Sequence, residues 1–344
     1  MKKKVTLLII AVIVVVLGIL GQNVIGNYYS PPATLNSQSA GSVVYIENGV
    51  TGKVTINDPY LNKTTDINVI YAPLDSGSGF IVNSDGYSVT AFHVVGDPET
   101  VKNTGQLRLM NSTDIQRYIE RAAVTGYITK YNPQLGFELI SNNLPGNPPL
   151  ITTQPDTNST TDILVQRNLI NVQSANQQIR VKLPGTSSTS SINANLLDVG
   201  ISGTQDDVAV LKIDSTFKKL IPLTISSKIP VIGEKLQIYG YPVFDSGMYS
   251  DFNQTIIKPS SISGIFTAEV PNNGTTYYET NANAVHGYSG GPVLNSNNNV
   301  MGIIIYSVQS PQPNQQTSTS SLFLSSQYII QICQKNNITI NIDG

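Results

Sequence analysis

The feature that most restricts the fold is a succession of short apolar runs, many of them alternating, each ended within a few residues by Gly, Asn, Asp or Pro. They are Ser42 to Ile46, Ile67 to Tyr71, Gly79 to Val82, Tyr87 to Thr90, Ile179 to Leu183, Val208 to Ile213, Lys235 to Tyr239 and Val300 to Val308. A period of two residues sends side chains to opposite faces of a strand, and runs this short are too brief for a helix to bury one stripe. Many closely spaced strands predict an all-β barrel or sandwich. One block departs from this rhythm. In Thr113 to Val124, Ile115, Tyr118, Ile119 and Ala122 recur at helical spacing, with Thr113 and Gln116 as a capping box and Gly126 as the stop. A stretch bearing Pro133, Pro145, Pro148, Pro149 and Pro155 follows, then a second helical segment over Thr161 to Val172. Residues 98–177 therefore read as a partly helical insertion in a β domain. Further on, Gln312 to Ser321 reads as a polar loop, and Ser325 to Lys335 as a closing helix in which the Cys333 thiol is inert packing.

The N-terminus carries a different signal. Lys2, Lys3 and Lys4 precede an uncharged, mostly apolar run from Val5 to Gly21, after which Gln22 and Asn23 turn the chain polar. At about 1.5 Å per residue the run is barely long enough to cross a bilayer. Residues 1–26 thus read as a signal anchor or signal peptide, giving an N-terminal transmembrane segment over residues 5–21 if retained. No A-x-A-like cleavage site is present, Val24-Ile25-Gly26 being the nearest small-residue candidate. Either way the lysines stay cytoplasmic and the remainder is exported, anchored to the membrane or secreted. Residues 27–40, with Pro31 and Pro32, read as a linker, and one folded domain spans 41–344.

Composition narrows the chemistry. Twenty basic against 22 acidic side chains leave a formal charge of -2, which gives no electrostatic case for nucleic acid. Charged residues make up only 12% of the chain, so Asn, Ser and Thr must supply most of its polarity, as suits an extracytoplasmic surface. Cys333 is the single cysteine, which excludes an intrachain disulfide. With His93 and His286 as the two histidines, the pattern argues against a His/Cys metal site, and no cofactor is expected.

Three short stretches remain that can carry a reaction. Gly287-Tyr288-Ser289-Gly290-Gly291-Pro292 sets a serine among glycines on a tight loop, whose amides can turn inward. Gly77-Ser78-Gly79-Phe80-Ile81-Val82, followed by Tyr87 to Val95, ends a strand pair at His93. Asp206-Asp207-Val208-Ala209-Val210-Leu211-Lys212 opens an apolar strand with two carboxylates. Taken singly, each fits a plainer role: a turn, a core histidine and a solvated strand end.

Together, in the order His, Asp, Ser, these stretches resemble the chymotrypsin-like serine proteases and, within them, the HtrA/Deg branch. The resemblance covers about residues 41–97 and 178–310. It implies a mainly β fold, a chymotrypsin-like double β-barrel with the site between barrels, and a serine endopeptidase acting on proteins or peptides through an acyl-enzyme. By the same resemblance Ser289 is the nucleophile, His93 the general base and then acid, and Asp207 the orienting carboxylate. Asp206 is passed over because the family's aspartate directly precedes an aliphatic-Ala-aliphatic-Leu strand. The amides of Gly287 and Ser289 would form the oxyanion hole. Asn283, Tyr306 and Ser307 would line the substrate pocket: Tyr306 as its floor, Ser307 narrowing its mouth where trypsin-type enzymes have glycine, and Asn283 leaving its base uncharged. Cleavage after small or medium apolar residues follows.

The chain also departs from its relatives. His93 and Asp207 are separated by several times the usual gap, which the insertion accounts for. Phe92 is bulky where the family has a small or polar residue. Tyr288 stands where trypsin has an aspartate that pairs with a newly cut N-terminus, so that activation switch is not expected. His286 reads as a loop residue, too near Ser289 in the chain to serve as its base. The sequence leaves no room for a PDZ domain. The alternative reading is a catalytically silent protease fold used for binding, or a chaperone.

Overall fold

The computed structural model describes residues 39–132, 135, 157–200, 206–214, 220–242, 256–272, 274–310 and 318–343. A 3-10 turn at Ser39–Ser42 leads into β1 (Val43–Asp58), β2 (Lys63–Ile81) and β3 (Tyr87–Thr90). Among the described residues the helices α1 (Phe92–Val95), α2 (Pro98–Thr104), α3 (Ser112–Lys130) and α4 (Thr157–Gln166) follow. The chain continues through β4 (Ile170–Lys182), β5 (Ile192–Val199), β6 (Ala209–Ile213), β7 (Lys235–Gly240), β8 (Ser260–Asn272) and β9 (Thr275–Thr280). It ends with β10 (Pro292–Leu294), β11 (Val300–Ser310), β12 (Ser318–Ser325) and α5 (Ser326–Lys335). The strands close into two barrels of six, in the orders β1-β2-β3-β6-β5-β4 and β10-β11-β12-β9-β8-β7. Closure gives each of these strands a neighbour on both sides. This is the mainly β, two-barrel architecture that the resemblance implied.

By compactness the chain divides into two units, one made of residues 1–46, 76–94 and 180–344 and the other of 47–75 and 95–179. Within the first, the second barrel closes around Leu236, Ile238, Val293 and an aromatic group. Tyr278 sits 5.3 Å from Phe266, edge to face, and 5.4 Å from Phe323. The second unit holds the stretch expected as an insertion, together with much of β1 and β2. Its core gathers Val50, Val54 and Ile56 of β1 with Ile119, Val124 and Tyr127 of α3. A Cβ on Gly52 would lie 2.1 Å from the Ser174 carbonyl oxygen, so a glycine is needed for β1 to approach β4 this closely.

Several local expectations are corrected. Helix α3 is capped by Asn111, not by Thr113 and Gln116. The Asn111 side chain accepts from the Asp114 amide at 3.0 Å, and the Asp114 carboxylate accepts from the Asn111 amide at 2.8 Å. Helix α3 also runs past Gly126 to Lys130. The reason is Tyr127, which is fully buried and donates its hydroxyl to Asp58 at 2.9 Å. Burying such a ring contributes about 2 kcal/mol, more than the roughly 1 kcal/mol a mid-helix glycine costs. The segment expected as a helix over Thr161 to Val172 is α4 followed by a left-handed turn at Asn168 (φ 55°) into β4. Ile67 to Tyr71 and Gly79 to Val82, read as separate strands, belong, but for Val82, to one 19-residue strand. The end of the expected polar loop is β12, paired with β11 on one side and β9 on the other.

The folded part begins no later than Ser39, since Ser39–Ser42 is buried, ahead of the expected Gly41. Among the described residues no helix is long and apolar enough to cross a membrane. Residues 5–21, expected as the membrane segment, and the linker up to residue 38 lie outside the described residues. In α5, Ser325 caps the first turn and Cys333 is fully buried. Burial pushes the Cys333 thiol up to about 12, which keeps it protonated and unreactive.

Two buried carboxylates make the second unit acid-sensitive. Burial alone would raise Asp97, but hydrogen bonds from Thr100 and Tyr118 and the Arg108 charge outweigh it and hold the carboxyl below its ordinary value. Asp58 is likewise lowered against burial, by hydrogen bonds from Asn132, the Leu61 and Tyr60 amides and Tyr127. A carboxyl depressed in the folded state adds stability above its unfolded pKa of about 3.9, and that stability is lost as pH falls through the folded value. The thermal midpoint should therefore drop steeply below about pH 4. In Asp97→Asn the midpoint should be lower at pH 7 and the acid limb shallower. Identical limbs in both proteins would exclude Asp97 as a source.

Candidate active site

Strand register brings the first two groups together. In the antiparallel β3–β6 pair, Thr90 lies opposite Ala209. His93 follows Thr90 in the one-turn helix α1, and Asp207 precedes Ala209, so both occupy the same end of the pair. The Asp207 carboxylate accepts from the His93 backbone amide at 2.9 Å and contacts the ring Nδ1 at 2.6 Å. An ionised carboxylate can only accept, so this contact calls for a proton on Nδ1. The Asp207 side chain is 7% exposed and that of His93 19%, so the pair is shielded without being sealed from solvent.

Both aspartates are buried, contrary to the solvated strand end that Asp206-Asp207 suggests in isolation. Asp206 accepts from the Thr275 hydroxyl at 2.8 Å. Asp207 also reaches the tyrosines around it electrostatically. Burial, and then the Asp207 charge, pushes Tyr277 up to about 12, and the same two causes raise Tyr306.

Ser289 lies on the loop that feeds β10. Pro292 opposes Ile303 of β11, and the Gly290 amide donates to the Ile304 carbonyl at 2.7 Å. Two tight turns shape this loop, the Tyr288 amide donating to Val285 at 3.2 Å and the Gly291 amide to Tyr288 at 2.8 Å. Gly287 (φ 97°) and Gly290 (φ 80°) occupy left-handed backbone that other residues rarely adopt. Among the described residues, the amides of Gly287 and Ser289 donate to no backbone carbonyl. The Ser289 carbonyl accepts from the Ser78 amide at 2.8 Å. Its hydroxyl donates to the Ile305 carbonyl at 3.1 Å.

The remaining residues singled out from sequence fall as follows. Phe92 is buried in α1, and His286 is exposed. Tyr288 is buried, which raises its phenol, and its ring lies so close to Gly240 that a Cβ there would be 2.6 Å away. Asn283 is exposed. Tyr306 is 44% exposed, with its ring 6.2 Å from that of Tyr277. The Ser307 hydroxyl donates to the Ala284 carbonyl, tying β11 to the segment before the Ser289 loop. Sequence reasoning missed two residues that shape this region. Ser321, placed in the expected polar loop, donates to the Ala282 carbonyl at 2.8 Å and accepts from the Ala284 amide at 2.9 Å. Ser78, within the glycine-serine-glycine stretch before His93, holds the Ser289 loop from β2, its amide donating to the Ser289 carbonyl. Among the described residues no group of three or more His, Cys, Asp or Glu is placed to hold a metal ion.

The trypsin-like peptidase domain matches residues 77–303, about two thirds of the chain and a span that includes His93, Asp207 and Ser289. The chain belongs to the trypsin-like peptidase family. No curated protein matches it. The matched span of the peptidase starts beside Ser78 and ends in β11, opposite Pro292. It therefore takes in the β3–β6 pair and the whole glycine-rich loop.

Proposed function

We propose that this peptidase is an exported, membrane-anchored serine endopeptidase of the HtrA/Deg type that hydrolyses extracytoplasmic proteins through Ser289, His93 and Asp207. The observation that carries the reading is the two-point hold of Asp207 on His93, through the backbone amide and Nδ1, because it fixes both ring orientation and tautomer. Residues 5–21 would anchor the chain with the folded part outside the cytoplasm, or be removed to release it.

In this mechanism Ser289 Oγ leaves the Ile305 carbonyl and turns to His93 Nε2. Such contacts often form only once substrate is bound. Nε2 takes the hydroxyl proton as Oγ bonds to the scissile carbonyl carbon, and the carbonyl electron pair moves to oxygen. The amides of Gly287 and Ser289 hold that oxyanion, each donor worth roughly 3 kcal/mol by the magnitude known for subtilisin. Collapse breaks the C–N bond, and the imidazolium protonates the departing amine. Water, deprotonated by His93, then attacks the acyl-enzyme, and a second collapse releases the acid and restores Ser289.

The pocket reading rests on three side chains. Ser307 carries a hydroxyl where the family's glycine would leave space, Tyr306 offers an aromatic face and Asn283 brings no charge. An unpaired Lys or Arg buried there would lose several kcal/mol of solvation, so cleavage is expected after Ala, Val or Leu.

One observation favours the silent binding or chaperone reading: the Ser289 hydroxyl bonds a backbone carbonyl. A fluorophosphonate probe separates the two, since it reacts only with an activated serine. The full chain should label, and Ser289→Ala should not. An unlabelled, folded wild-type protein would establish the silent reading. Cleavage sites mapped by mass spectrometry in a denatured protein should then show apolar residues before the cut. A preference there for Lys, Arg, Asp or Glu would overturn the pocket assignment.

A further inference from the structure

Ser78 is fully buried in β2, and its polar atoms are all engaged. Its amide donates to the Ser289 carbonyl at 2.8 Å, and its hydroxyl donates to the Gly287 carbonyl at 2.6 Å. That hydroxyl also accepts from the Tyr241 amide at 2.9 Å, and the Ser78 carbonyl accepts from the Thr90 hydroxyl at 2.7 Å. The surroundings leave no slack. A Cβ on Gly240 would lie 2.9 Å from Ser78 Oγ, one on Gly290 would lie 2.3 Å from the Ser78 carbonyl oxygen, and one on Gly291 would lie 3.3 Å from Ser78 Cβ.

Peptide geometry gives these contacts a consequence. A peptide unit is planar, so holding a carbonyl oxygen holds the amide of the next residue as well. Ser78 holds the plane between residues 287 and 288 and the plane between 289 and 290. The plane that carries the Ser289 amide lies between those two. The plane that carries the Gly287 amide adjoins the first. A side chain and an amide on a strand more than 200 positions away in the chain therefore restrain the Ser289 amide from both sides and the Gly287 amide from one.

We propose that Ser78 is a positioning residue for the oxyanion hole. It locks Gly287 to Ser289 in the conformation that aims both amides at the reacting oxygen, and it does so without an activating cut. Tyr288, packed against Gly240, brings no carboxylate that a new N-terminus could bind, so the strut comes from β2 instead. The inference rests on the serine peptidase reading above.

The test uses the full chain in detergent and p-nitrophenyl acetate, whose burst separates the amount of competent enzyme (amplitude), ester binding (the saturation constant Ks) and acylation (the burst rate k2). Donors at an oxyanion hole act only on the transition state, and small misplacements near a reacting centre cost up to about 10²-fold. Ser78→Ala should therefore keep its burst amplitude, keep Ks within about twofold and lose about 10- to 100-fold in k2, with the fluorophosphonate labelling rate falling by a similar factor. A merely structural serine would reduce the amplitude and leave k2 per active site unchanged, and that result overturns the proposal. Should Ser78→Ala fail to fold, Ser78→Cys fills the space with a thiol that hydrogen-bonds weakly, and the same comparison of k2 with amplitude decides. A wild-type protein that neither hydrolyses the ester nor labels with the fluorophosphonate removes the peptidase reading itself; where deacylation is too fast for a burst, kcat/KM for the ester per labelled site takes the place of k2. A wild-type burst with unaltered k2 in the variants removes this inference alone.

Discussion

Ser289→Ala and His93→Ala will each lower acylation by several orders of magnitude, and Asp207→Asn will cost about 10⁴-fold in kcat. The size of the Asp207 effect follows from its two contacts. One carboxylate accepts from both the His93 amide and Nδ1. An asparagine offers a single accepting oxygen, and its NH2 group would face whichever donor is left, favouring the tautomer that puts the proton on Nε2. Asp206→Asn is the control, because an amide oxygen can still accept from the Thr275 hydroxyl that Asp206 holds. Its activity should remain within a fewfold of wild type. Burst kinetics on purified variants with matched circular dichroism would measure all four. Equal losses at Asp206 and Asp207, or full activity in Ser289→Ala, would refute the role assignments.

Gly290→Ala will destabilise the protein by about 3 kcal/mol or more and abolish activity. Two costs combine at this position. Its φ of 80° is left-handed backbone, which costs a residue with a Cβ about 1–2 kcal/mol. The added Cβ would also lie 2.3 Å from the Ser78 carbonyl oxygen and 2.3 Å from the Thr90 hydroxyl, atoms fixed by bonds to one another. Gly274 isolates the first cost, since its φ is 89° but a Cβ there meets nothing within 4 Å. Gly274→Ala should lose only about 1–2 kcal/mol and keep full activity. Urea unfolding of the two variants gives the difference, and equal losses would show that crowding around the Ser289 loop is relieved at little cost.

What the sequence determined by itself is what depends on neighbours in the chain. Alternating apolar runs announced strands because the side-chain period is a local property of extended backbone, and two barrels of them are present. The stretches around His93, Asp207 and Ser289 carried enough local chemistry, in an order specific enough, to point to a trypsin-like peptidase, and that family matches residues 77–303. Tertiary structure decided whatever depends on partners distant in sequence. Ser318–Ser325, polar enough to read in part as loop, is a strand because β11 and β9 flank it and satisfy its backbone. Helix α3 passes Gly126 because a buried Tyr127 meets Asp58, 69 positions earlier. Asp206, one position from Asp207 and chemically identical, bonds Thr275 instead, because the Val208 amide donates back to the Asp206 carbonyl and this tight turn parts the two carboxylates. Ser78 was visible only as part of the strand pair that ends at His93. Its grip on Gly287 spans 209 positions, and a hydrogen bond over that separation leaves no period or spacing in the sequence to read, since only closure of the fold brings donor and acceptor together.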